Sequence, residues 1–456
     1  MNTAIKLIIC AAILSAPLHL CHAEAPAAET YLKYNIKTRQ IIDKDNGPQK
    51  IEDQTAEIIV GLGNNYFYTV DKDGKTIYDF TKKILIRLDD KKRTYDQISL
   101  FSNVGFRGIE FQNRVFLAGI IRQTKNDTAN TEDAPFNTFD LETNFSLCLP
   151  GSTPQKITET KQETEHTYAF SGKTIVECDF SDQAINEKDR PMFEKFLLYT
   201  CCLHPQIRES IVSANRIPSV IKYNYSDFGQ TQVNMRLEPI KNIPQPGCAI
   251  PAGYTEPKNN PDGLAQIIRK VNAIKNPVEK LDKKDFIRIA EDSLAKNDCL
   301  NAMLATLEYN LQTSQSTNEE MARIFPAGKT DKRLETFIDN MAAGDKDTAE
   351  KSIKALESID RKGLTRAHVI DIMIADAKMQ TGDLEGAKKL FIKVLEINPY
   401  IAGVYKDLGD LYNQSFDTVS AWKCWDTARQ LYPTHKMLEQ ITQYEKWLMD
   451  NFPEFF

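Results

Sequence analysis

Apolar residues recur at every second position from Tyr31 to about Thr255, and at every third or fourth position after Pro261. A period of two fits a strand with one buried face, and a period near 3.6 fits an amphipathic helix; neither pattern can serve the other. In the first part Leu32, Tyr34 and Ile36 alternate with Lys33, Asn35 and Lys37. In the second, Leu264, Ile267, Ile268 and Val271 fall on one helical face, as do Leu300, Met303, Leu304, Leu307 and Leu311. Between the two, Pro244 to Pro261 holds five prolines, two glycines and adjacent asparagines, which interrupt both periods. The expected fold class is therefore α+β in two domains, an antiparallel sheet with a few helices over 24–256 and a helical hairpin array over 257–456.

Within the first domain, Tyr66–Val70 and Thr76–Phe80 flank Asp71-Lys72-Asp73-Gly74, whose Asp-Gly step suits a hairpin turn. A second hairpin is expected to join Ile84–Leu88 to Thr94–Leu100 across residues 89–92. Alternation over Phe139–Leu149, Ile175–Phe180, Ser219–Tyr225 and Gln232–Leu237 brings the total to about eight strands. Helices are expected over Val104–Thr124 and Pro191–Ala214. Asn126–Asp133 and Pro154–Glu165 read as loops or hairpin tips.

Residues 1–23 join one cation, Lys6, to an apolar run from Leu7 to Leu14 and a short region ending Cys21-His22-Ala23. This is the layout of a secretory signal peptide cleaved after Ala23, because the run is well short of the ~20 residues that span a bilayer. Leu18-His19-Leu20-Cys21 resembles a bacterial lipobox, but the bulky Leu20 departs from it, so lipid anchoring to an outer membrane is the lesser alternative. The mature chain is expected to be exported, periplasmic or secreted, with no transmembrane span. Nine cysteines become seven once Cys10 and Cys21 leave, and export would permit one or two bridges among Cys148, Cys178, Cys201, Cys202 and Cys248.

With 57 Lys and Arg against 63 Asp and Glu, the formal net charge is -6, which argues against nucleic acid as a partner. Gly61-Leu62-Gly63 lacks the third glycine and following helix of a phosphate loop, and there is no Gly-x-Ser-x-Gly or His-Glu-x-x-His. Asp71-x-Asp73-Gly74 lacks the further acids of a calcium loop. The four mature histidines stand too far apart for a metal site. No catalytic residue, metal ligand or cofactor is expected.

Asn398-Pro399 and Tyr432-Pro433 place prolines 34 residues apart, a repeat length of stacked helical hairpins. In the unit 402–435, Tyr405, Leu408, Gly409, Tyr412, Ala421, Trp425, Ala428 and Pro433 stand at the main positions of the pattern, and this unit resembles a tetratricopeptide repeat. The preceding unit, 368–401, supplies Ile374, Ala375, Gly382, Ala387, Phe391 and Pro399 but has Asp371 and Lys378 where large apolar residues are usual. Met437, Ile441, Tyr444 and Leu448 form the stripe of a capping helix over 436–451. Gly344-Asp345, with Ala349, Ile353, Leu356 and Ile359, echoes the unit at a longer spacing. The first domain resembles, more loosely, the half-barrel carriers of exported lipoproteins.

The tetratricopeptide resemblance implies a partner-binding groove lined by the first helix of each hairpin, onto which Asp376, Met379, Lys406, Asp410 and Asn413 map. Asp376 and Asp410 depart from the basic and amide set with which one subgroup clamps a terminal carboxylate. The leading expectation is thus a non-catalytic scaffold binding another protein through its helices. One alternative is a carrier holding lipid or another hydrophobic ligand against the sheet. Another is an enzyme whose site only folding would assemble.

Overall fold

The computed structural model describes residues 29–42, 50–105, 157–170, 172–226, 230–240, 247–257, 263–273, 280–327, 330–341 and 345–456. The signal-peptide region, the strand expected over Phe139–Leu149 and Cys148 lie outside these residues. Among the described residues, the first part forms a single antiparallel sheet of eleven strands: β1 (Thr30–Ile42), β2 (Lys50–Leu62), β3 (Tyr66–Val70), β4 (Gly74–Asp79), β5 (Ile84–Asp89), β6 (Thr94–Ser99), β7 (Thr158–Gln162), β8 (Glu165–Phe170), β9 (Lys173–Ala184), β10 (Arg216–Ser226) and β11 (Gln230–Glu238). Their order is β6-β5-β4-β3-β2-β1-β11-β10-β9-β8-β7, so β1 and β11 join two meanders and the sheet does not close.

The sheet has more strands than alternation alone reveals. β7 is exposed at all five positions and lies in the stretch expected to be a loop. As an edge strand without a buried face it carries no apolar period, and only its ladder to β8 makes it a strand. β2 is polar over its first half, and its pairing with β1 along all thirteen positions compensates.

Alternation sends Leu32 and Tyr34 of β1, Ile58, Val60 and Leu62 of β2, and Met235 of β11 to one face, where they are buried. Two helices cover that face, α1 (Arg190–Tyr199) and α2 (Pro205–Ser213), rather than the single helix expected over 191–214. Cys202 adopts a φ of 54°, and Pro205 begins the second helix behind His204, whose ring accepts the Gln206 N–H at 3.1 Å. Proline cannot donate the bond that a continuous helix needs. Phe193, Phe196, Ile207 and Ile211 fill the space above the sheet. On the opposite face, residues around Cys248, Ile250 and Tyr254 cover Tyr68, Ile77, Ile86 and Leu88. A Cβ on Gly61 would lie 2.2 Å from the Tyr68 ring, so this strand position requires glycine.

Eleven α-helices follow among the described residues: α3 (Leu264–Ala273), α4 (Lys283–Ala295), α5 (Cys299–Thr313), α6 (Asn318–Ala327), α7 (Lys332–Asn340), α8 (Lys346–Glu357), α9 (His368–Thr381), α10 (Leu384–Ile397), α11 (Ala402–Gln414), α12 (Thr418–Leu431) and α13 (Glu439–Asn451). Asp282, Asp298, Asp331, Asp345, Asp383 and Asp417 each precede a helix and accept a backbone N–H of its first turn. Such a cap satisfies a donor the helix cannot, and is worth about 1 kcal/mol. No described helix is long and apolar enough to cross a membrane.

The two parts meet directly. The Phe101 ring stacks on Trp422 at 5.1 Å, and Lys423 pairs with Asp96 at 2.7 Å. Residues 101–105 are helical; the rest of the helix expected over 104–124 lies outside the described residues. Beyond α13 the chain turns back to the sheet. Lys195 Nζ donates to the backbone oxygens of Glu454 and, at 2.8 Å, Phe456, and Tyr199 Oη donates to that of Phe455.

Candidate functional site

Tyr405, Leu408, Gly409, Tyr412, Ala421, Trp425 and Ala428 are all buried where α11 meets α12, and Ile374, Ala375, Ala387 and Phe391 are buried between α9 and α10. Gly382 closes α9 with a φ of 86°, Pro399 is buried in the turn after α10, and Pro433 is exposed just past α12. Among the capping residues Ile441 and Leu448 are buried on α13. Lys436–Leu438 forms a separate 3-10 turn, so the stripe expected over 436–451 is broken at its start.

The expected groove residues fare differently. A spacing of four places Lys406 and Asp410 on one face of α11, where Nζ meets Oδ2 at 2.6 Å. The other oxygen of Asp410 accepts Trp425 Nε1 at 3.1 Å, which ties this face to α12. Asp376 on α9 is half-buried; burial raises its carboxyl to about 7, and Lys406 opposes the rise. Met379 is half-buried and packs against the flank of the helical core. The Asn413 amide oxygen is buried with no hydrogen-bond partner among the described residues.

Sequence reasoning missed Asp407. Burial raises its carboxyl well above the usual range, and Asp376 raises it further, so the two acids sense one another across α9 and α11. Its place beside Lys406 and three before Asp410 was the available signal. Neither Asp376 nor Asp407 has a hydrogen-bond partner among the described residues. This helical face therefore carries three carboxyl groups around one buried lysine; Lys406 is salt-bridged to Asp410, while Asp376 and Asp407 feel its charge but make no side-chain hydrogen bond or salt bridge to described residues.

Asp371, which breaks the repeat pattern, is buried and bonded to Arg361 at 2.6 Å and Lys393 at 3.0 Å. Glu308 on α5, fully buried, accepts from Arg366 Nη1 on both oxygens, at 2.8 and 2.9 Å, accepts from Asn398 Nδ2 and lies 3.3 Å from His368 Nε2. These clusters lie within the helical core and hold it together.

In the sheet, Glu29 accepts from the hydroxyls of Tyr31 and Tyr68 at 2.7 Å, from Tyr66, and from Gly247 N–H at 2.7 Å. Burial would raise its carboxyl, but these four donors hold it below its usual range. Lys75 Nζ sits 3.6 Å over the Tyr68 ring and bonds Gly247 O. The cluster anchors the start of β1 to the segment after β11. Of the five cysteines expected to form one or two bridges, Cys178, Cys201, Cys202 and Cys248 make none with one another, and Cys148 lies outside the described residues. Cys178 on β9 and Cys201 just past α1 are enclosed in the apolar core, with Cys201 Sγ 3.6 Å from Met235 Sδ, so both serve packing.

Among the described residues no three side chains converge as metal ligands. No family model matches the chain, and no curated protein matches it. Among solved structures, it is similar to one titled "Lipid-protein interactions in lipovitellin", at 11% identity and a TM-score of 0.17, over 88% of this chain and 49% of that one. The chain thus spans about half the length of that protein, and a similarity of this size carries no argument about fold or function.

Proposed function

We propose that this is an exported, non-catalytic interaction protein whose C-terminal helices form a tetratricopeptide-like array and bind a partner protein along the face bearing Asp376, Lys406, Asp407 and Asp410. One observation carries the reading: two neighbouring carboxyls on that face, Asp376 and Asp407, are raised by burial and have no hydrogen-bond partner among the described residues. Carboxyls in that condition gain from an incoming guanidinium or ammonium group, which stabilises their charged form. The partner is accordingly an extended segment bearing a basic side chain. The sheet supports the helices; its inner face is filled by Phe193, Phe196 and the residues around them, which favours this reading over a carrier of hydrophobic ligands.

The test is capture from envelope fractions with the full chain, its Asp376→Lys variant and a control, Asp182→Lys, at an exposed position of β9 on the distant sheet. The partner should be lost with Asp376→Lys and kept with the control. Equal capture by all three would show that recognition lies elsewhere.

A further inference from the structure

The wet face of the sheet contains an open recess of about 570 Å³ that spans β2, β1, β11, β10 and β9. The register places two polar rows across its floor: Lys37 beside Asn234 and then Lys222, and Arg39 beside Gln232 and then Asn224. Strand spacing and rise make this patch about 10 Å wide and about 7 Å along the strands. Its cations are not equivalent. Arg39 is held by Asp53 through bonds of 2.8 and 3.1 Å, and Lys222 by Glu177 at 2.9 Å. Lys37 faces Thr55 on one side and Asn234 on the other, and it has no ion-pair partner among the described residues.

Two neutralised pairs thus flank one unneutralised lysine. The side-chain amides of Asn224, Gln232 and Asn234 make no hydrogen bonds to described residues, so three amides keep both donors and acceptors for a solute. We infer that this recess binds a sugar carrying one anionic group, with Lys37 facing the anion and the amides of Gln232, Asn234 and Asn224 facing the hydroxyls. A volume of this size suits a small ligand, and the polar floor selects a hydrophilic one: each hydroxyl meets an amide able both to donate and to accept. A carboxylated and a phosphorylated sugar share this chemistry.

The test is calorimetric titration of the full chain with glucuronate, glucose 6-phosphate and glucose, repeated on Lys37→Gln and on Lys72→Gln, an exposed lysine outside the recess. At least one anionic sugar should bind with Kd near about 1 mM, weaken about tenfold or more in Lys37→Gln, and be unaffected in Lys72→Gln. Binding of glucuronate alone, or of glucose 6-phosphate alone, supports the inference and identifies the anion. No binding at 10-fold higher concentration, glucose binding as tightly as the anions, or equal loss in both variants would overturn it. The outcome is independent of the helical face, because no residue of α9 or α11 lines the recess.

Discussion

A Cβ on Gly409 would sit 2.4 Å from the indole nitrogen of Trp425. The indole donates at 3.2 Å to Lys406 O, one turn before Gly409, so it cannot retreat without breaking the bonds that fix it. Helices α11 and α12 therefore approach as closely as they do because residue 409 has no side chain. Gly409→Ala should destabilise the fold by about 1–3 kcal/mol, as overpacking of a full core does. Urea unfolding checks this, and an unchanged midpoint would mean that the contact yields freely.

Glu308 and Arg366 form a buried two-bond pair between α5 and the residues leading into α9. Arg366→Met should cost about 3 kcal/mol, because it leaves the fully buried Glu308 carboxylate without its arginine and with only Asn398 Nδ2 and the nearby His368 ring. Adding Glu308→Leu should recover part of that loss. A double variant as unstable as the sum of the singles would show that the two residues act independently.

The Asp376 carboxyl, raised to about 7, keeps a proton in the folded chain that the unfolded chain releases at lower pH. Its contribution to stability is present below the ordinary carboxylate range and is lost as pH rises to about 7. His204, lowered to about 4 by burial and by Arg208, works in the opposite sense over much of that window. The informative quantity is thus the difference between proteins: the Tm of Asp376→Asn minus that of the parent should grow from pH 4 to pH 8. A flat difference would exclude the assignment.

The segment Phe452–Phe456 joins the last helix to the sheet. The Phe456 ring lies 4.7 Å from Phe101, and Phe455 meets Tyr199 edge-on at 5.8 Å. Removing residues 453–456 leaves the Lys195 ammonium without those two oxygen acceptors in a largely buried position and should lower stability by about 2 kcal/mol. Limited proteolysis should then cut near α1 sooner than in the parent. Equal rates would mean that the segment only rests there.

The enclosed thiols of Cys178 and Cys201 are raised by burial. In the native protein both should resist maleimide, whereas the half-buried Cys248 should react. Mass spectrometry of the labelled chain decides, and native labelling of Cys201 would show that the core opens.

Much of this architecture is legible in the chain. Alternation over residues 31–37 found β1, and the Asp-Gly step at 73–74 found the β3–β4 turn, because both depend on neighbours close in sequence. The spacing of Gly409, Tyr412, Ala421 and Trp425 likewise marked four residues that are buried together. β7 escaped because an exposed edge strand has no period, and the break at Cys202–Pro205 escaped because apolar residues on both sides keep helical spacing. Asp407 escaped because an acid beside Lys406 and three before Asp410 reads as one more charge on a solvated helix face.

The sequence by itself determined where strands give way to helices and which face of each turns inward, since those follow from local periodicity and the free energy of burying apolar side chains. Only the tertiary structure decided which distant charges meet. Glu308 with Arg366, Lys195 with the oxygens of Glu454 and Phe456, and the lone Lys37 among amides arise from pairings tens to hundreds of residues apart. Each charged side chain looks alike in the chain, and its energy is set by the partners and the water that folding leaves around it.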